Sequence, residues 1–355
     1  MSTTLIVDKS PGEVRAGRFD NHGRALALYL ERRSEERSRA RRGALYCARV
    51  RAMDAARNAA FVDLGLGAPG FLPLRKTPKG VRVHEGAALA VTVRREAIAE
   101  KGPVLAFAPD QGACAGAPCP SLLAGAPVFV ERIRAKRDVI VKADREGRER
   151  LDAAFAAALE ARAPLPGGGA LWIEPTRALV SIDVDTAQST ASAQRVNEEA
   201  IAEILRQLDL RGLGGNIAID FAAVKGSRQR KALESTLAQA IAEYAPAMSM
   251  APLSRFGVAV LTRPRQARSL AEIMLDEAGN PNAQTTALAA LRALENAHLA
   301  DPARALSLQA PPEIIKWLQQ HAWCWAEPLS ARLGGRLNLR ENTHLARDQY
   351  EVIAQ

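Results

Sequence analysis

The run Ala178-Leu179-Val180-Ser181-Ile182-Asp183-Val184-Asp185, answered farther along by Asn216-Ile217-Ala218-Ile219-Asp220-Phe221, decides the reading of this chain. In the first run Val180, Ile182 and Val184 alternate with Ser181, Asp183 and Asp185. An extended backbone therefore sends the apolar set to one face and two carboxylates to the other. In the second, Ile217, Ile219 and Phe221 share a face and Asp220 leaves from the opposite one, beside Ala218 and Ala222. Between them Val196, Ala200, Ile204, Leu205 and Leu208 recur at helical spacing, and Gly212, Gly214 and Gly215 close the segment. A strand, a helix and a strand of this length predict a right-handed crossover with the two strands parallel in one sheet. Asp183, Asp185 and Asp220 then converge. Three hard oxygen donors with no His or Cys nearby point to Mg2+ or Mn2+ rather than zinc, and such an ion activates water against a phosphodiester. The competing reading makes them solvated acids at strand ends, the usual fate of any single one.

With 355 residues and 48% hydrophobic content, the chain has room for two or three domains with packed cores. A formal net charge of +9 despite 39 acidic residues suggests a polyanionic partner, nucleic acid ahead of a membrane surface. No apolar run approaches membrane-spanning length, and Met1-Ser2-Thr3-Thr4-Leu5 lacks the charged start and hydrophobic block of a leader; the expected location is the cytoplasm. Cys47, Cys114, Cys119 and Cys324 have neither zinc nor disulfide spacing and are expected as free thiols.

Residues 4–30 alternate around Leu5-Ile6-Val7 and Ala25-Leu26-Ala27-Leu28-Tyr29-Leu30, which predicts part of a small sheet. From Glu31 to Gly43, Arg32, Arg33, Arg37, Arg39, Arg41 and Arg42 stand among Glu31, Glu35 and Glu36, either a solvated connector at a domain boundary or a phosphate contact. Short strands at 44–50, 59–63, 87–94 and 104–107 predict a small barrel. The Pro-, Gly- and Ala-rich residues 108–127 read as a loop, 128–134 and 139–142 as strands, and 144–160 as a helix. Asn197 reads as a residue of the helix start. Lys225, Arg228, Arg230 and Lys231 open a helix running to about Tyr244; bases there oppose its macrodipole, which hints at a ligand, while the competing reading makes most of them a solvated face. The last module, 283–355, has predicted helices at 287–298 and 313–320 and strands at 334–339 and 350–353. Trp317, Trp323 and Trp325 are expected in its core or a subunit contact, and His298, His321 and His344 lack ligand spacing.

Several of these runs carry a family resemblance. Gly43-Ala44-Leu45-Tyr46-Cys47-Ala48-Arg49-Val50, Asn58-Ala59-Ala60-Phe61-Val62-Asp63-Leu64-Gly65 and Pro69-Gly70-Phe71-Leu72-Pro73-Leu74 resemble, in order and spacing, the S1-type oligonucleotide-binding barrel of the ribonuclease E/G family. Ala170-Leu171-Trp172-Ile173-Glu174-Pro175-Thr176-Arg177 leading into the opening run, then Val196-Asn197-Glu198-Glu199-Ala200, Leu210-Arg211-Gly212-Leu213-Gly214-Gly215 and Ile219-Asp220-Phe221, resemble the family's DNase I-like catalytic subdomain.

The resemblance implies an α+β multidomain chain: an RNase H-like subdomain in two parts, 1–36 and 125–166, interrupted by an S1-type OB barrel at 37–110. A DNase I-like α/β catalytic subdomain follows at 167–280 and a small C-terminal α/β domain at 283–355. It implies that Asp183 and Asp220 hold Mg2+, and that Asp185 stands where the family usually has Asn. By the same likeness Phe61 and Phe71 stack RNA bases, Lys101 meets the phosphate backbone, and Arg263 and Arg265 stabilise phosphate charge. The family's 5′-end sensor domain has no room here, and the cysteine pair of its zinc link is absent, so no structural zinc is expected. The expected function is Mg2+-dependent endoribonuclease cleavage of single-stranded RNA in RNA processing or decay, leaving 5′-phosphate and 3′-hydroxyl ends. The expected partner is RNA, without a membrane, for a monomer or a zinc-independent oligomer. A noncatalytic RNA-binding protein of the same architecture is the alternative, and a DNA nuclease or phosphatase on a similar sheet leaves the barrel unexplained.

Overall fold

The computed structural model describes residues 3–186, 189–224, 226–334 and 337–354. Lys225, expected at the start of a helix, lies outside the described residues, as do Gly335 and Arg336 of the expected strand at 334–339. The chain forms two compact units, one of residues 1–9, 15–30 and 135–285, the other of 10–14, 31–134 and 286–355. No helix among the described residues is long and apolar enough to cross a membrane.

The first unit holds two sheets. In the smaller, the strands run Asp138–Lys142, Thr3–Ser10, Glu13–Phe19 and Ala25–Arg32. The first two are parallel, with Thr3 opposite Asp138. The helix Arg145–Leu159 starts where the Asp144 side chain accepts the Gly147 N–H at 2.8 Å, a standard cap. Its Leu151, Phe155 and Ala158 pack with Ile6, Phe19, Leu28, Leu210 and Leu270.

Asp138 ties this sheet together. Its side chain is fully buried, and burial alone would raise its pKa. Arg18 at 3.0 Å, the Thr3 hydroxyl at 2.6 Å and the Ala135 N–H at 2.6 Å override that and hold the carboxyl below the ordinary range. A carboxyl depressed in the folded state adds stability that is complete above about pH 5 and is lost as pH falls through the folded value. Asp138→Asn is expected to cost about 2 kcal/mol at pH 7 and to flatten the acid limb of a urea-denaturation profile; an unchanged acid limb would show that the network carries no linkage.

The larger sheet has the strand order Arg162–Pro164, Ala170–Pro175, Val180–Asp185, Gly215–Asp220, Val258–Arg263 and Ser249–Met250. Val180–Asp185 and Gly215–Asp220 are parallel, joined through the helix Ala193–Leu210, as their alternation and spacing predict. Val180, Ile182, Val184, Ile217, Ile219 and Phe221 pack in one core with Val196, Ala200, Ile204 and Leu208 of that helix and with Leu233, Leu237 and Ile241 of the helix Gly226–Tyr244. Each fully buried aliphatic side chain contributes about 2 kcal/mol relative to exposure. A slip of one residue would turn Ile182 outward and Asp183 inward, so this apolar face fixes where the acids point.

The second unit holds a closed five-stranded barrel, an OB-type arrangement, of Leu45–Asp54, Ala59–Asp63, Gly70–Pro73, Val104–Phe107 and Ala88–Arg95. Its core includes Tyr46, Ala48, Val50, Val62, Leu72, Val91, Val93 and Leu105. Residues 108–127 are more than the expected loop, because Ser121–Ala124 adds an edge strand to Leu45–Asp54. Residues 128–134 are not a strand but contain the short helix Phe129–Ile133. One turn buries Phe129 and carries Arg132 to Glu31 and Glu96, contacts that an extended run would split between two faces. The arginine-rich connector is likewise not simply solvated: Arg39 and Arg41 bind Glu96, Arg41 also reaches Glu35, and Arg37 lies over the Trp323 ring at 4.0 Å.

A three-stranded sheet of Leu337–Glu341, Leu306–Ala310 and Glu351–Ala354 follows, with the helices Ala283–Ala300, Pro312–Gln320 and Ala322–Leu333. Two of these elements escape the sequence reading. Leu306, Ser307, Leu308 and Ala310 are all buried, so the central strand lacks alternation. Pro328 inside Ala322–Leu333 reads as a breaker. Trp325 is buried and donates to the Leu318 carbonyl at 2.9 Å, as expected of a core residue, whereas Trp323 is partly exposed. The four cysteines are free thiols. Burial and the neighbouring Cys47 thiol push Cys119 up to about 11, a proximity the spacing of these residues did not signal.

Candidate active site

The open face of the larger sheet carries the acids. Asp183 and Asp220 are register partners on the parallel strands, so their side chains leave the same face with backbones roughly 4.8 Å apart. Asp185, two residues beyond Asp183, extends the same row of its strand. The cluster is electrostatically real. Partial burial raises the Asp183 pKa, the charges of Asp220 and then Asp185 raise it further, and only the Val184 N–H acts in the other direction. Concentrated negative charge of this kind is what a divalent ion relieves.

Among the described residues no three carboxylate, imidazole or thiol groups stand close enough to enclose an ion unaided. A small, strongly hydrated ion such as Mg2+ does not need such a cage, because one or two carboxylates suffice when water and substrate phosphate supply the remaining ligands. Asp183 and Asp220 fit that pattern. These donors are carboxylates, the kind of ligand a hard ion takes in preference to zinc.

Three backbone features hold the acids in place. Gly169, at φ +85, lies so near the end of the Asp185 strand that an added Cβ would sit 2.4 Å from the Asp185 carbonyl oxygen. Asn197 is not at the helix start, which Ser192 caps by accepting the Arg195 N–H. It is buried inside the helix, donates to the Ala222 carbonyl at 2.7 Å and accepts the Ala222 N–H at 3.0 Å. This two-way clamp fixes the chain immediately after Asp220. Next to it Ala223 holds φ 24, a conformation that surrounding bonds must enforce. The buried Asn gave no sequence signal beyond its type; an amide on the apolar side of an amphipathic helix is the one available flag.

The remaining candidates are placed elsewhere. Val258 pairs with Asp220 and Arg263 with Gly215, so Arg263 is five residues along its strand from the acids, roughly 17 Å. It donates to the Leu213 carbonyl at 2.8 Å and pairs with Asp209. Arg265 pairs with Glu272, itself the N3 partner in the capping box of Leu270–Met274. The alternating strand reading could not distinguish one end of the strand from the other. Arg228, Arg230 and Lys231 do open the helix that follows Asp220.

In the barrel, Phe61 and Phe71 are half-buried register partners whose rings meet edge to face, with centroids 5.9 Å apart and planes at 64°. Lys101 is exposed in a turn paired to Ile98. The next residue, Gly102, approaches the chain before Phe71 so closely that a Cβ would lie 1.9 Å from the Pro69 carbonyl oxygen. Gly102→Ala must push that turn off the barrel; a stability loss of about 1–3 kcal/mol by urea denaturation is expected. Full stability in the variant would show that the turn relaxes freely.

Carboxylates side by side at the matched ends of two parallel strands are an arrangement that divalent-metal sites for phosphodiester chemistry also use. Residues 128–266, which contain all six strands of that sheet and the three acids, match the model of the Ribonuclease E/G family. Ribonuclease E of Escherichia coli is 35% identical over 128 residues, covering 34% of this chain and 12% of that protein. Ribonuclease E of Synechocystis is 37% identical over 130 residues, covering 35% of this chain and 19% of the relative. Ribonuclease G of Escherichia coli is 32% identical over 126 residues, covering 34% and 26%. The matches thus span about a quarter or less of each of these relatives, and the barrel lies outside the family match.

Proposed function

We propose that the chain is a Mg2+-dependent endoribonuclease that cleaves single-stranded RNA internally in RNA processing or decay. The observation that carries this reading is the register-matched Asp183–Asp220 pair, with Asp183 raised by its acidic neighbours, inside a ribonuclease E/G segment. Asp183 and Asp220 would hold the ion. When bound, the ion supplies Lewis-acid polarisation of the scissile phosphodiester and acidification of water. The chain's own groups orient the reactants: Asp185, an acceptor where an Asn would also donate, aligns the attacking water. The water oxygen bonds to phosphorus, the bond to the 3′ oxygen breaks, and that oxygen takes up a proton. The products carry 5′-phosphate and 3′-hydroxyl ends.

The barrel, read as S1-type, binds unpaired bases through Phe61 and Phe71 and phosphate through Lys101. Cleavage is then indifferent to whether the RNA begins with monophosphate or triphosphate, and the work is cytoplasmic. The test is cleavage of internally labelled, A/U-rich single-stranded RNA with Mg2+, in both 5′-end states, against the Asp183→Asn variant. Internal cuts that the variant loses support the reading. Bound but uncut RNA under Mg2+ and Mn2+ would make the protein a noncatalytic RNA binder.

A further inference from the structure

The row of register partners that contains the acids continues beyond them. Arg162 pairs with Trp172, Trp172 pairs with Asp183, and Asp183 pairs with Asp220. All four are exposed on the sheet, and Trp172 leaves 41% of its surface open. The helices Ala193–Leu210 and Gly226–Tyr244 fill the opposite face, where Leu171 and Ile173, the sequence neighbours of Trp172, are buried. An indole one strand from a carboxylate pair is therefore turned away from the core. An indole this open to water, on the same face as the acids and the exposed Val260, offers a flat apolar surface to a ligand lying over the site.

We propose that Trp172 stacks a base of the bound RNA next to the scissile phosphate, with Arg162 pairing to the adjoining phosphate. This deepens the nuclease reading and rests on it. A base has an apolar face and an anionic backbone, and the row offers a flat indole followed by a cation, whereas the acids alone would repel the strand. Arg162 is exposed on its edge strand, so its guanidinium is open to a ligand. Trp172 and Asp183 are roughly 5 Å apart at the backbone, so a base on the indole puts its own phosphate over the carboxylates. Stacking is tolerant of base identity, and the resulting preference is for unpaired over paired RNA rather than for a sequence.

The experiment uses the full chain with Asp183→Asn to prevent cutting, and a fluorescently labelled single-stranded oligoribonucleotide in Mg2+, read by anisotropy. Trp172→Ala is expected to weaken binding about 5- to 150-fold, and Trp172→Phe to keep it within about threefold. Oligonucleotides carrying one abasic site, walked along the strand, are expected to reveal a position that weakens binding to the parent but not to Trp172→Ala. Arg162→Ala is expected to reduce the salt slope by about one. In the cleaving protein, Trp172→Ala raises KM with kcat little changed. Equal affinity of parent and Trp172→Ala, with no abasic position that distinguishes them, overturns the proposal even if RNA is cut normally. A drop in solution mass in Trp172→Ala with RNA affinity unchanged also overturns it, making the face a self-association surface. Should the uncut parent protein bind RNA with the expected Trp172 dependence yet never cleave it, the nuclease reading fails and the stacking role stands. Absence of any RNA binding by the parent overturns both. If Trp172→Ala fails to fold, the abasic walk on the parent and on Trp172→Phe still decides.

Discussion

Asp183→Asn is expected to lower Mg2+-dependent cleavage of single-stranded RNA by at least about 100-fold and, in the absence of divalent ions, to raise the melting temperature. The two halves of this result have one cause. Asp183 is raised by partial burial and by the charges of Asp220 and Asp185. A carboxyl whose folded pKa is raised stabilises the fold fully below its unfolded value, near about pH 4, and that stability is lost as pH rises through the folded value. At neutral pH the ionised group opposes its neighbours, and a neutral amide of the same shape removes the repulsion. Divalent ions should do the same for the parent protein, so Mg2+ is expected to raise its melting temperature and to have little effect on the variant. Melting curves in chelator and in Mg2+, run beside the cleavage assay, check both halves. A variant that melts lower than the parent in chelator would show that the acids are not in repulsion.

Asn197→Ala is expected to cost about 2–4 kcal/mol of stability and to reduce kcat about tenfold or more with a smaller change in KM. The Asn197 amide satisfies both the N–H and the carbonyl of Ala222, and the side chain is 2% exposed, so water cannot replace it without opening the helix from the sheet. The N–H and the carbonyl of the half-buried Ala222 would both lose their partner. The segment they release begins directly after Asp220 and contains Ala223 in its constrained conformation, so the loss falls on the position of the Asp220 carboxylate, the proposed metal ligand. Asn197→Asp separates the two effects: it keeps the acceptor for the Ala222 N–H but sets a carboxylate against the Ala222 carbonyl, and is expected to be at least as damaging as alanine. Urea denaturation and steady-state cleavage measure the two effects. A stable Asn197→Ala protein with full kcat would remove the clamp from the account.

Much of the larger sheet was legible because alternation is a local property. Val180, Ile182 and Val184 against Asp183 and Asp185 state which face is buried before any partner strand is known, and the helical period between the strands implies the parallel crossover that puts Asp183 opposite Asp220. The barrel strands were legible for the same reason, with turns marking their ends. Local pattern failed where a residue's environment comes from distant chain. Phe129–Ile133 has the composition of a strand and becomes a helix because Glu31 and Glu96 hold Arg132. Leu306–Ala310, buried on both faces, had no alternation to read.

The sequence by itself determined the chemistry available at this site: three carboxylates, two strands, one crossover, and a basic chain suited to a polyanion. Only the tertiary structure decided which side chains share the acids' surroundings. It joined Trp172 and Arg162 to the row of Asp183 and Asp220, turned Asn197 into the clamp behind Asp220, and engaged Arg263 and Arg265 with Asp209 and Glu272 far along the sheet. The physical reason is that strand register and helix packing are set by the summed burial of many apolar side chains. A polar residue's neighbours follow from that sum and are not encoded at its own position.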